Sequence, residues 1–226
     1  MDTDEHAEAA AILAEASWLG EGREGLIGLL LAHGRIVRLT AGQWAQAEGD
    51  DEAGVLVVLS GTVQMLSKAP GDREVLIGQA GPGVALGQTV RFGGGPRLVT
   101  VICHEDCRLL QVSDRALARI AVKAPQVWEA VAALLYLQLR GLVQLLAETT
   151  ALPPRQRLAS RIELLSRASR PRALRLSQQA LGEMVGLTRK TVNAYLADFE
   201  RQGLILRAYG EVTVIDPAGL RRIAGR

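Results

Sequence analysis

The stretch "LSQQALGEMVGLTRKTVNAYLADFERQGLI", Leu176 to Ile205, decides the fold of the C-terminal part of the chain. Ser177 is a good N-cap for a helix running through Val185, and "VGLT" makes a tight turn before a second helix that Thr188 can cap. Gly182 is small where two helices must approach, and Gly186 can take the left-handed conformation of the turn. Val192 is apolar where the second helix faces the first. These constraints, met at the right spacing, predict a helix-turn-helix, with Leu196, Phe199 and Leu204 in its core. Downstream, "LILRAYGEVTVID" (204–216) reads as strand, turn and strand, a wing with Tyr209, Gly210 and Glu211 at its tip. The terminal "PAGLRRIAGR" reads as a short closing helix.

In such a unit the second helix enters the major groove with its N-terminal residues at the base edges. Arg189, Lys190 and Asn193 occupy that end, and the expectation is that Arg reads guanine and Asn reads adenine, each by a bidentate contact. Gln178, Gln179 and Thr188 are assigned to phosphates, which fix register without reading sequence. Charge agrees: residues 151–226 hold 14 Lys and Arg against 6 Asp and Glu, whereas residues 1–150 hold 12 against 18. The basic end is where a polyanion such as double-stranded DNA would bind.

Upstream, "PQVWEAVAALLYLQLRGLVQLLAETTA" (125–151) has no internal proline and predicts one long helix. Val127, Val131, Leu135, Leu139, Leu142 and Leu146 mark one stripe, while Trp128, Leu134, Leu137, Val143 and Leu145 spread beyond it. That is more apolar surface than one face carries, so one side is expected to pack on the preceding domain and another on a second copy, giving a homodimer. "LPPRQRL" (152–158) breaks the helix and starts another, and "SRASRPRALR" (166–175) reads as a basic connector. Before Pro125, residues 34–112 read as short Val-, Leu- and Ile-rich strands between Gly, Pro and Asp turns, an antiparallel roll that follows a helix-like N-terminus. The expected domains are 1–124, the helix 125–151, and 152–226.

Composition is that of an ordinary globular chain, 48% hydrophobic and 22% charged. No apolar run reaches the roughly 18–20 residues that span a bilayer, and "MDTDEHAEAAAILAEA" opens acidic where a secretory signal would open basic; the expected location is cytoplasmic, with no membrane partner. Cys103 and Cys107 in "CHEDC", if on one strand, would lie about 13 Å apart, too far for a disulfide. Cys103 is then a small core residue and Cys107 sits near a turn, with a thiol sensor as the alternative. No nucleophile with a base, no metal-ligand cluster and no phosphate-cradling loop with a lysine is present in the sequence, so neither an enzyme nor a bound cofactor is expected.

The order roll, long helix, winged helix resembles the cyclic AMP receptor protein and fumarate-nitrate regulator (Crp/Fnr) family of bacterial transcription factors over essentially the whole chain. Leu176–Ile205 is close to that family's DNA-binding signature, and "LTAGQWAQAEGDDEAGVLVVLSGTVQML" places its glycines and Gly49-Asp50 where the family's roll turns. The resemblance implies an α+β fold: an N-terminal double-stranded β-helix, jelly-roll-like and of the cyclic-nucleotide-binding type, a long dimerisation helix, and a C-terminal winged helix-turn-helix. It implies a homodimer on a pseudo-palindromic site and, for an activator, a surface for RNA polymerase. Ala194 stands where the family often has a second arginine, which puts the half-site preference in doubt.

In cyclic-nucleotide-binding members, Gly-Glu-Leu and, about ten residues on, Arg-Ser/Thr-Ala hold the ribose and cyclic phosphate. Here Gly87-Gln88-Thr89 and Arg97-Leu98-Val99 fall on those positions. Gln88 accepts a hydrogen bond more weakly than a carboxylate, and Leu98 is expected to intrude on the phosphate site without hydrogen-bonding it. Leu142 and Val143 are apolar where adenine-binding members offer hydroxyls. Each lost buried polar partner costs about 1–3 kcal/mol, so ordinary cyclic AMP binding is not expected. The fumarate-nitrate type implies a cysteine-rich N-terminus, and residues 1–34 hold no cysteine. A heme sensor would have only His33, His104 and Cys103 as axial candidates. Another small-molecule effector, no effector, or a sensor module whose winged helix grips protein instead of DNA remain as alternatives.

Overall fold

The computed structural model describes residues 3–20, 24–51, 54–88, 95–167 and 173–226. The chain is α+β and divides into two compact units, residues 1–67 with 80–141, and residues 68–79 with 142–226. The division falls inside the long helix, between Gly141 and Leu142.

From the N-terminus, α1 (Thr3–Ala14) and α2 (Glu24–His33) precede β1 (Arg35–Leu39), β2 (Trp44–Gln46), β3 (Gly54–Ser60), β4 (Val63–Ala69), β5 (Arg73–Ala80), β6 (Ala85–Leu86), β7 (Thr100–Cys103) and β8 (Cys107–Ser113), of which the end of β4 and β5 up to Gln79 group with the second unit and the rest with the first. The strands form two four-stranded sheets, ordered β1-β8-β3-β6 and β2-β7-β4-β5, in which consecutive strands repeatedly change sheet. Strand β3, "GVLVVLS", is apolar at nearly every position because both its faces are covered. Val55, Val57 and Leu59 face a cluster built with Leu13, Leu26, Leu30 and Ile120 from the helices. Val58 joins Val63, Val101 and Leu109 in a second cluster between strands.

A helix that the sequence reading passed over, α3 (Asp114–Lys123), follows β8 directly. Ser113 caps it by accepting from the Ala116 amide at 3.3 Å, and Leu117 and Ile120 are its core residues. The long helix α4 (Val127–Ala151) begins two residues after Pro125. Its buried residues, Val127, Ala130, Val131 and Leu134, have the i, i+3, i+4, i+7 spacing of one face, and Val127, Ala130 and Leu134 enter the helix-side cluster. From Tyr136 the apolar side chains are open: Leu139, Leu142, Val143 and Leu146 are between 59% and 68% exposed. The single stripe read from the sequence is therefore two, a buried one early and an open one late.

Two expectations are corrected here. The helix Val127–Ala151 reaches a mean hydropathy of 1.6 over 18 residues, so a segment long and apolar enough to cross a bilayer is present by length and composition. Isolated Gln138, Arg140 and Gln144 interrupt the apolar run. The second is the strand spacing that set the cysteines about 13 Å apart, whereas Cys103 in the core and Cys107 beside a turn stand as read. Cys103 ends β7 and Cys107 begins β8, the turn between them folds the chain back, and the Cys107 thiol lies within donating distance of the carbonyls of Glu105, at 3.2 Å, and Thr62, at 3.4 Å. Burial pushes both thiols up, Cys107 to about 12, so they stay protonated and unreactive at neutral pH.

The second unit contains α5 (Pro154–Arg167), β9 (Ala173–Leu174), α6 (Gln178–Val185), α7 (Arg189–Arg201), β10 (Ile205–Ala208), β11 (Glu211–Val214) and α8 (Pro217–Ile223). The sheet order is β10-β11-β9, so the end of the basic connector supplies a third strand, with Leu174 opposite Val212. Leu158, Ile162, Leu174, Leu181, Leu196 and Phe199 are fully buried and make the core.

Glu163 on α5 is only 2% exposed and pairs with Arg167 at 2.8 Å and with Arg221 of α8 at 2.9 Å. Truncating one partner of a buried pair is strongly destabilising, but both arginines keep access to water. Glu163→Ala is expected to cost this unit about 1–3 kcal/mol in chemical denaturation, with Arg221→Ala recovering little of it.

Candidate nucleic-acid interface and effector cleft

The helix-turn-helix is built by its caps. The Ser177 hydroxyl accepts from the Ala180 amide at 3.0 Å, and that of Thr188 accepts from the Thr191 amide at 3.2 Å. Gly186 ends α6 with φ +65°, and the Leu187 amide returns to the Gly182 carbonyl at 2.8 Å. A Cβ on Gly182 would stand 2.5 Å from the Leu187 carbonyl oxygen, a backbone atom with nowhere to go. Val192, Leu196 and Phe199 turn inward, leaving Arg189, Lys190, Asn193 and Ala194 on the open face of α7.

Arg189 and Asn193 are one turn apart on that face, beside the helix N-terminus, whose free amides favour an anion. Gln178 donates to Asn193 Oδ1 at 3.3 Å, so it is tied to the reading helix. Gln179 donates to Glu183 at 3.0 Å, one turn along its own helix. Thr188 is occupied as a cap and lies 2.9 Å from the Thr191 hydroxyl.

The wing contributes a residue that the sequence reading missed. Arg207 on β10 donates through Nη1 to Asn193 Oδ1 at 3.1 Å, and through Nε to Glu200 at 2.8 Å. Its guanidinium holds the Glu200 carboxyl below the usual carboxylate range, so the clamp is charged at neutral pH and weakens only as pH falls through that lowered value. Strand alternation places Arg207 on the same side as buried Ile205, a side read as core, which is why it escaped notice. A cleft of about 420 Å³ opens here, bordered by Gln178, Arg189, Arg207, Tyr209 and Glu211.

In the first unit, Gly87 has φ +92°, and the Arg97 guanidinium occupies the place where a side chain would begin. Arg97 is 4% exposed and donates through Nη1 to Gln46 Oε1 at 2.6 Å and to the Gly87 carbonyl at 3.1 Å. Gln46 in turn donates to the Val99 carbonyl at 3.0 Å. Gln88 is 1% exposed and donates to Gln138 of α4 at 2.6 Å, while Gln138 donates to the Ala85 carbonyl at 3.1 Å. Gln138 follows Val131 and Leu134 on the buried face of α4; a polar residue on an apolar stripe was the signal that could have found it. Leu98 is 63% exposed, turned away from this cluster instead of intruding on it. Val99 packs against the core between strands. Thr89 lies outside the described residues. Leu142 and Val143 are exposed and belong to the other unit.

Residues 36–123 match the cyclic nucleotide-binding domain, and residues 156–223 match the Crp-like helix-turn-helix domain. The chain belongs to the Crp/Fnr family. A curated relative, the CRP-like cAMP-activated global transcriptional regulator of Mycobacterium tuberculosis, is 29% identical over 185 residues, 79% of this chain and 83% of that one. The c-di-GMP responsive global regulator CLP of Xanthomonas campestris superposes with a TM-score of 0.65 at 24% identity, over 84% of this chain and 98% of that one. FixK2 of Bradyrhizobium japonicum superposes with a TM-score of 0.71 at 19% identity, over 84% and 96%.

As a Crp/Fnr protein the chain is a DNA-binding transcription regulator. Arg189, Lys190 and Asn193 offer the donors such a helix brings to base edges and phosphates, and their helix is anchored by the buried Val192, Leu196 and Phe199.

Proposed function

We propose that this regulator acts as a cytoplasmic homodimer on a pseudo-palindromic duplex and grips it without ordinary cyclic AMP. The observation that carries the proposal is how the polar cluster is engaged: Arg97 donates to Gln46 and Gly87, and Gln88 donates to Gln138, while the buried Gln88 Oε1 has no hydrogen-bond partner among the described residues. An anion would have to displace those bonds from the arginine, and the ribose would meet an amide whose NH2 is committed to α4 and whose oxygen accepts more weakly than a carboxylate. The residues present do not fit a cyclic nucleotide held in the usual way.

The dimer follows from the open stripe of Leu139, Val143 and Leu146, spaced i, i+4, i+7 on α4. A second copy of the same helix covers such a stripe on both partners at once. Two recognition helices then address half-sites about 34–36 Å apart.

Fluorescence anisotropy on a selected duplex tests this reading. Cyclic AMP is expected to change the affinity by less than about twofold, where allosteric coupling typically amounts to about 5- to 150-fold. Arg189→Ala should weaken binding by about 5- to 150-fold at the preferred site, the discrimination carried by a bidentate base contact. Lys190→Ala should weaken all sequences alike and lower the salt slope by about one phosphate equivalent. A large nucleotide-dependent gain would overturn the ligand-free reading.

A further inference from the structure

Asn193 does not stand free on the reading face. Its Oδ1 accepts from Arg207 Nη1 at 3.1 Å and from Gln178 Nε2 at 3.3 Å. A guanidinium has donors only, so the Asn193 atom that faces Arg207 has to be the oxygen, and this fixes the orientation of the amide. A carbonyl oxygen has two lone pairs, and both are used. Arg207 is in turn immobilised at two points, because Glu200 accepts from its backbone amide at 3.0 Å and from its Nε at 2.8 Å.

The bidentate contact of an asparagine with adenine needs both ends of the amide, Oδ1 accepting from N6 and Nδ2 donating to N7. Here only the NH2 group of Asn193 remains. We infer that Arg207 is a specificity-determining positioning residue of the wing, which locks Asn193 as a pure donor suited to the acceptors of guanine and thymine and unable to accept from the N6 amino group of adenine, which keeps only its N7 acceptor. The inference rests on α7 being the face that reads DNA, and it replaces the adenine contact expected from the sequence. It also gives the wing a part in base readout without any wing atom reaching a base.

The test is selection from a random duplex library with the full-length protein and three variants, each checked for folding by circular dichroism. Asn193→Ala locates the half-site position that loses its preference. At that position the wild type is expected to enrich guanine or thymine over adenine by roughly tenfold. Arg207→Met shortens the side chain to an apolar stem and frees the Oδ1 lone pair that Arg207 held, leaving the longer bond from Gln178, and should move the same position toward adenine. Asn193→Asp keeps the acceptor for Arg207 and turns the outward group from donor to acceptor, so the position should move toward cytosine, whose N4 donates. Adenine enriched by the wild type at the Asn193-dependent position overturns the inference, as does an Arg207→Met variant that binds more weakly with an unchanged preference. If Arg207→Met binds no duplex, Asn193→Asp decides alone: a shift to cytosine upholds the lock and an unshifted position removes it. Absence of any enrichment by the wild type would remove the reading face itself, and the inference with it.

Discussion

Replacing Leu139, Val143 and Leu146 together by glutamate leaves a monomer at micromolar concentration and lowers affinity for the palindromic duplex by about 10²- to 10⁴-fold. The three side chains are 60%, 59% and 68% exposed in the single chain, so the change removes little packing within the subunit. Glutamate is a good helix former, and α4 itself should persist. In the dimer each of the three buries apolar surface worth about 1.5–3 kcal/mol, and the substitution exchanges that for six carboxylates across one seam. The loss on DNA follows because each half-site is then bound independently, without the gain from linking two reading helices. Sedimentation velocity reads the first effect and anisotropy the second. A triple variant that sediments as a dimer would place the interface elsewhere on the chain.

The second large effect is expected in the roll. Gly87→Ala should destabilise the N-terminal unit by about 3–5 kcal/mol, since a side chain is forced to φ +92° and into the position of the Arg97 guanidinium. Arg97 then loses its bonds to Gln46 and the Gly87 carbonyl while remaining inside the fold. Gly25→Ala is the matched control: it lies on α2, a Cβ there meets nothing within 4 Å, and helix propensity favours the change. Guanidinium denaturation followed by circular dichroism compares the two, and equal midpoints would show that the Arg97 cluster does not hold the roll together.

Legibility in the sequence follows how local the cause is. The helix-turn-helix could be read because its determinants lie within thirty residues: two hydroxyl caps, a small glycine at the crossing and a left-handed glycine at the turn. The strands of the roll could be read as apolar runs, but the assignment of each to a sheet depends on partners far along the chain, such as Gly54 opposite Ser113. Cys103 and Cys107 were set too far apart because a turn, not a continuous strand, occupies the residues between them. The α3 helix was hidden by its direct junction with β8, where Ser113 serves both as last strand residue and as cap.

The polar residues of both sites were only half legible. Gln88 and Arg97 could be located, but their partners Gln138 and Gln46 come from about fifty positions away. Asn193 could be placed on the reading face, but the donors on its oxygen arrive from α6 and from the wing. In both cases the chemistry changes with the partner: the arginine of an apparent anion site is engaged by its own fold, and an adenine reader becomes a donor.

The central claim, a dimeric reader competent without cyclic nucleotide, is tested most directly by selecting duplexes from a random library with the purified protein alone, and again with cyclic AMP, cyclic GMP or cyclic di-GMP present. The account predicts enrichment of one palindrome whose half-site centres lie one helical turn apart, at equal strength in all four selections. Enrichment that appears only when a nucleotide is added would contradict it, and would mean that the bonds closing Arg97 and Gln88 open for a ligand.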